Sequence, residues 1–407
     1  MTIETSISKK SLILFLILLF PLLIDCINGL LQVKLGFETP IGILYRGGII
    51  IYSLKFLKNS RIKDYLYILL IIYIAHLIYT LSMGYFSISE LSSFSKIIYA
   101  YFVYSILNSI GINKQDKIAN YAVLYGVGAA IVIIYCFIFK TGISSYGDNF
   151  YGTRGLFIAI NDLGLSMLLM NIIACYYYQI TNKLFYLFAI LIISISLPLI
   201  GSMTTMLGSG LILFLLFISI TFIPFSDFKA SKNIKIFTLI IGTLIIGIAV
   251  NKVINVIIND PYLSVKYADI GSNITKISGR DYLIDAGNYA LSSFNIFDWL
   301  FGKSSSFSEI IAQQTHIGKM KGVEVDPYDL VGTYGSILTI AIIYPSLKYL
   351  IKCIKSFVKT KKLYYYWLCL ALGIYIGHSI YGGHAYTSPL ATTYLITLLF
   401  IKKTERP

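Results

Sequence analysis

The chain has 407 residues, of which 57% are hydrophobic and only 13% charged, with a formal net charge of +14. Its mean hydropathy is +0.77. A water-facing surface needs more polar side chains than this, so no soluble globular class fits and the chain reads as an all-α polytopic membrane protein.

Apolar stretches of about 17 to 25 residues, each able to cross a bilayer core as a helix, recur almost end to end. Twelve spans are expected, at about 11–31, 40–56, 65–83, 95–112, 120–139, 156–178, 184–200, 207–225, 236–256, 329–347, 364–382 and 386–401. The first contains Asp25 and has no small-residue cleavage site after it, so it reads as a retained span, not a signal peptide. With the N-terminus inside, most of the 33 Lys and Arg residues collect on inner segments, so both termini are expected in the cytoplasm. The positive charge then reports topology and attraction to anionic lipid, which removes the case for nucleic acid as a partner. Cys26, Cys136, Cys175, Cys353 and Cys369 fall in or beside spans, which excludes a disulfide-stapled ectodomain.

Three regions follow: 1–256 with nine spans, 257–328 as a large extracytoplasmic loop, and 329–407 with three spans. The loop carries Asp260, Asp269, Asp281, Asp285, Asp298, Glu309, Glu324 and Asp326. A loop of this length usually has a function. Within it, Leu283, Ala286, Tyr289 and Ala290 recur at helical spacing and predict a short amphipathic helix opened by Gly279 and Arg280. FDWLFGKSSSFSEI reads as an apolar turn and a Ser-rich linker, with Trp299 and Phe301 suited to the membrane interface.

Several residues invite chemistry. Arg280 at a helix start suits a phosphate, and pairing with Asp281 or Asp285 is the plainer alternative. Arg154, in YGTRGLF, lies on the same side; two arginines hold a diphosphate through forked hydrogen bonds, whereas one alone also snorkels to headgroups. Arg46 inside a span is costly and needs an acid such as Asp25, or a lipid phosphate. Asn161 and Asp162, near the start of the sixth span, cap a broken helix, line a cavity or tie helices together. His378 and His384 flank the outer end of the eleventh span, where an imidazole carries protons; they have no companion pattern for zinc. In VEVDPYDLVGTYG the spacing fails as a calcium loop. It fits a helix start, with Asp326 as N-cap, Pro327 at the first helical position and Asp329 in the first turn.

The order of these stretches resembles the O-antigen polymerase (Wzy-type) and O-antigen ligase superfamily of bacterial envelope glycosyltransferases. RGLFIAINDLGLSML, SGRDYLIDAGNYALSSFNIFDWLFGK, VEVDPYDLVGTYGSI and GGHAYTSPLAT carry the likeness, over about Arg154 to Pro389. The chain departs from it after the seventh span, where LPLIGSMTTMLGSG has Met203 in place of a basic residue. The resemblance implies a GT-C-like architecture and transfer of a glycan from an undecaprenyl-diphosphate carrier at the outer face of the bacterial cytoplasmic membrane, without metal, nucleotide sugar or other cofactor. It implies a diphosphate clamp from Arg280 and Arg154, with Arg46 and Asn161 as further substrate contacts. Glu324, Asp326 or His384 takes the proton. Partners implied are the lipid-linked glycan, membrane lipid, and a chain-length regulator and flippase of the same pathway. A polymerase is favoured over a ligase because Glu324-Val325-Asp326 stands where ligases usually carry a His-containing motif. A lipid or solute transporter is the alternative from another class.

Overall fold

A computed structural model describes residues 2–36, 39–57, 60, 62–110, 114–145, 152–229, 231, 281–316 and 322–401. About 81% of these residues are helical. Among the described residues seven helical stretches are long and apolar enough to cross a membrane, the first, Lys9–Leu35, made of two consecutive helices, and two shorter apolar helices accompany them. The expected span 236–256 and Gly279 and Arg280 lie outside the described residues.

In chain order the helices are α1 (Thr2–Leu18), α2 (Phe20–Leu35), α3 (Ile41–Leu57), α4 (Lys63–Ser82), α5 (Ile88–Ile110) and α6 (Gln115–Phe139). A two-stranded antiparallel ribbon, β1 (Ile143–Ser144) with β2 (Thr153–Gly155), precedes α7 (Ile160–Thr181), α8 (Leu184–Leu199) and α9 (Met203–Thr221). Then come α10 (Asp281–Ser292), α11 (Ile296–Phe301), α12 (Ser305–Thr315), α13 (Asp326–Thr360), α14 (Leu363–Tyr381) and α15 (Pro389–Phe400).

The outside of this bundle is greasy. Leu44, Ile51, Ile71, Ile78, Ile340 and Val358 are all well exposed, Ile51 at 71%. A soluble monomer does not present so many large aliphatic side chains to water, whereas lipid-facing helices must. The fold is thus that of an all-α membrane protein.

α7 is the axis. It is apolar nearly all round and buried along most of its length, as a helix without a polar face must be. α6, α8, α9, α14 and α15 pack around it. Its few polar side chains are spent on neighbours. Asn171 Nδ2 donates to Ser194 Oγ on α8 at 2.9 Å, Gln179 Nε2 donates to Ser219 Oγ on α9 at 3.0 Å, and Trp367 Nε1 on α14 donates to Gln179 Oε1 at 2.7 Å. In hydrocarbon such groups have no water to turn to, so each bond fixes helix register as well as packing.

α10 to α12 cap one end of the bundle. α10 is the predicted amphipathic helix, with Leu283, Ala286 and Ala290 buried, but Tyr289 points outward at 57% exposure, and Gly287 takes the inner position instead. FDWLFGKSSSFSEI forms two helices where a turn and linker were expected. Asn295 explains the first of them. Its Oδ1 accepts the N–H groups of Phe297 at 2.8 Å and Asp298 at 3.0 Å, and Asp298 Oδ2 accepts the Asn295 N–H at 3.0 Å, a complete capping box. The other Asp298 oxygen accepts the Tyr79 hydroxyl from α4 at 2.7 Å, and Lys303 Nζ stands 3.4 Å from the carboxylate. Burial, with the Asp298 charge adding to it, holds the neighbouring Tyr85 hydroxyl above its ordinary pKa.

A second tie is fully buried. Glu90 of α5 takes the His76 Nε2 contact on one oxygen and the Ser304 hydroxyl on the other, while His76 Nδ1 meets the Phe301 carbonyl. Two spans and the 301–304 turn therefore share one polar knot.

α13 is broken at Gly335, whose φ of 76° and ψ of 170° belong to glycine alone. The break frees carbonyls of the preceding turn, and the N–H groups of Lys303 and Ser304 use them, bonding to Gly332 at 2.8 Å and Thr333 at 3.0 Å. A side chain at Gly335 would run into the Leu300 carbonyl.

Candidate functional site

At the end of the bundle capped by α10 to α12, the starts of α7, α13 and α15 and the end of α14 converge, and most sequence-predicted site residues are here. Asp326 is buried. It is not the N-cap; Val325 holds that position without a side-chain bond, and Asp326 is the first residue of α13. Its carboxylate is turned across to the chain entering α15, where it accepts the N–H groups of His384 at 2.5 Å, Ala385 at 2.7 Å and Tyr386 at 3.1 Å. A carboxylate holding three backbone donors is a structural anchor, with most of its lone pairs already committed.

Asp329, in the first turn, braces the loop before the helix and does not cap the helix itself. Its two oxygens accept the N–H groups of Val323 at 2.7 Å and Glu324 at 3.0 Å, closing the entry to α13. Glu324 is left half-buried with φ of 60°, a left-handed conformation forced on a non-glycine residue. His384 is also left-handed, at φ 62°, and half-buried. Gly383 lies between them. A Cβ there would strike the Glu324 carbonyl, so only glycine lets the two loops touch. Two unusual backbone conformations and a glycine contact thus place Glu324 beside His384.

Asn161, one residue into α7, reaches the same junction. Its Nδ2 donates to the Gly382 carbonyl at 2.9 Å. Beneath this bond opens a groove of about 750 Å³ between α9, α14 and the far part of α13. Asn161, Ser202, Thr204 and His378 line it at one end, with Thr204 Oγ1 3.5 Å from His378 Nε2. Leu207, Leu211, Leu215, Phe357, Leu370 and Ile374 make the rest apolar. Gly373 and Gly377 keep the α14 wall open, since a Cβ at either position would meet nothing within 4 Å.

On the other side of the α7 start lies a polar cavity of about 320 Å³. Arg46, expected to need an acid, lines it together with Asp25, and Asp162 and Lys96 complete a set of two cations and two carboxylates. Arg46 is in electrostatic reach of Tyr99, Asp25 and Asp162. Asp25 Oδ2 accepts the Tyr125 hydroxyl at 2.8 Å. At the rim, Asn28 Oδ1 accepts both the N–H of Thr39 at 3.1 Å and its hydroxyl at 2.6 Å.

Arg154 is placed elsewhere. Arg154 sits on β2, and its Nη1 donates to the Ile158 carbonyl, so the guanidinium braces the turn leading into α7. Arg280, the other half of the expected clamp, lies outside the described residues. Lys96 falls inside the expected span 95–112 but the sequence does not single it out; on α5 it lies three residues from Tyr99, on the same helix face.

These features define a polytopic membrane protein with an apolar groove and a polar cavity meeting at the start of its central helix. No family model matches the chain, and no curated protein matches it.

Proposed function

We propose that the chain is a membrane glycosyltransferase that polymerises undecaprenyl-diphosphate-linked oligosaccharide repeat units, for O-antigen, capsule or exopolysaccharide, at the outer face of the bacterial cytoplasmic membrane. The supporting observation is the apolar groove whose polar end, at Asn161, Thr204 and His378, abuts the Glu324–His384 junction. A carrier with a long hydrocarbon tail and a sugar-bearing head needs this combination: apolar walls for the tail and hydrogen-bonding groups where the head emerges.

In the reaction, a hydroxyl oxygen of the incoming repeat unit attacks the anomeric carbon of the growing glycan. The bond from that carbon to the diphosphate oxygen breaks, and undecaprenyl diphosphate leaves. The hydroxyl proton passes to the Glu324 carboxylate or the His384 imidazole, either of which serves as general base from the junction. Asp326 holds the His384 backbone in place, acting through position and not through proton transfer. Arg280 and Arg154 are the clamp for the leaving diphosphate, with one Nη1 donor of Arg154 braced on the Ile158 carbonyl. Both termini lie in the cytoplasm in this arrangement, and α10 to α12 face outward.

A deletion strain tests the reading by gel analysis of its surface glycan. A single repeat unit on lipid A, or loss of polymer with short lipid-linked units accumulating outside, is the expected result. Absence of any glycan on lipid A with full-length polymer on the carrier identifies a ligase, and substrate trapped inside the cell identifies a transporter. Restoring the strain with Arg280→Ala should leave the protein in the membrane and the ladder absent; unchanged ladders would remove the clamp.

A further inference from the structure

The polar cavity on the far side of α7 has no role in the transfer described above. Four charged groups line it, Arg46 and Lys96 against Asp25 and Asp162, each half-buried and so presenting part of its surface to the space. A cavity of about 320 Å³ is at the lower end of the range used by small-molecule sites, roughly 300 to 1,000 Å³. Charged groups in a bundle of this kind are costly and mark function by default, and any ligand that enters must meet both signs at once.

The formal charges of the four groups balance. A diphosphate or other anion entering the cavity would gain from Arg46 and Lys96 but would meet Asp25 and Asp162 at short range in a medium that screens poorly. An uncharged polyol meets no such conflict. Ammonium and guanidinium groups only donate hydrogen bonds, carboxylates only accept them, and each sugar hydroxyl does both. A ring of hydroxyls therefore bridges lysine or arginine to aspartate without disturbing the balance. Tyr45, half-buried in the same wall, adds an aromatic ring of the kind that can cover the C–H side of a sugar.

We propose that this cavity binds an uncharged sugar residue. Resting on the polymerase reading, that residue belongs to the acceptor repeat unit, and Arg46 is a sugar ligand, not part of the diphosphate clamp. Adjacent positions of one helix then serve the two halves of the substrate: Asn161 looks to the carrier groove and Asp162 to the acceptor cavity.

The test uses the full chain in nanodiscs free of sugar detergents, with saturation-transfer NMR on methyl glucoside, methyl galactoside and methyl N-acetylglucosaminide. The expected result is saturation transfer to at least one glycoside, unaffected by excess pyrophosphate. Gly42→Leu fills the cavity from the α3 side; a Cβ there meets only Arg46 Nη1, at 3.7 Å, so the variant should fold. It should abolish the glycoside signal while keeping the thermal midpoint of the parent. No transfer to any of the three glycosides in the parent protein, displacement by pyrophosphate, or a signal retained in a folded Gly42→Leu protein each overturns the proposal. If glycoside binding is lost in Gly42→Leu yet the deletion strain has an unaltered glycan, the cavity assignment stands and the polymerase reading falls. If the strain loses polymer but no glycoside binds, the reverse holds.

Discussion

Replacing Asp326 with alanine removes the acceptor for three backbone N–H groups at once. Ala385 and Tyr386 are buried, so their donors have little water to turn to. Hydrogen bonds to a charged acceptor contribute about 1.5 to 3 kcal/mol each, and stranded buried donors carry a desolvation cost of similar size. With some relaxation at half-buried His384, the net loss for local order of the 384–386 segment is at least about 4 kcal/mol. At about 1.4 kcal/mol per factor of ten, amide exchange at these positions should accelerate roughly a thousandfold. Asp326→Asn should lie between, because one amide oxygen accepts one or two of the donors while the NH2 group faces the rest. Hydrogen–deuterium exchange with peptide-level mass spectrometry on the nanodisc protein reads this directly. Unchanged exchange across 384–386 in Asp326→Ala would refute the anchor, and an accompanying loss of polymer would return Asp326 to the candidates for the proton acceptor.

Gly335→Ala puts a side chain at a backbone geometry reserved for glycine and against the Leu300 carbonyl, and should cost more than about 3 kcal/mol; a collapse in monodisperse yield and thermal midpoint measures it. Removing either half of the buried His76–Glu90 pair, as His76→Ala or Glu90→Ala, should cost about 3 to 5 kcal/mol, while the double change to Phe and Leu should recover much of that in a thermal double-mutant cycle. Tyr79→Phe loses the bond to Asp298 and should lower stability by about 1 to 3 kcal/mol, seen as faster exchange in α11 with α7 unaffected. Glu324→Gln and His384→Gln should both insert and fold normally, and the one that stops ladder growth identifies the base.

The spans could be read from the sequence because hydrophobicity over about 20 residues needs no partner to be visible. α7 at Ile160–Thr181 falls within the expected 156–178 region to a few residues, and α14 at Leu363–Tyr381 does so at 364–382. What escaped were features settled by distant contacts. Asp326 has the residue type and position of a helix cap, but its partners lie 58 to 60 residues away, beyond any local pattern. The start of α5 at Ile88 was missed because Glu90 and the serines dilute its hydropathy; the carboxylate is tolerated only through His76 and Ser304. Arg46 was recognised as needing an acid, and Asp25 shares its cavity, but nothing local announces that Lys96 and Asp162 complete the set. The α11 helix was the exception: Asn295 and Asp298, three apart, are a capping signature that the apolar FDWLF run concealed.

The break at Gly335 gives the first turns of α13 a different mechanical allegiance from the rest of that helix. On the membrane side α13 packs with α14, while the segment before Gly335 is fastened to Val323 and Glu324, to Lys303 and Ser304, and to the chain entering α15. It behaves as a rivet through the loops, not as the end of a rod. The first turns of α13 therefore belong with the loops and with the knot that His76 and Glu90 make to the 301–304 turn, and only the part beyond Gly335 belongs with the spans it packs against.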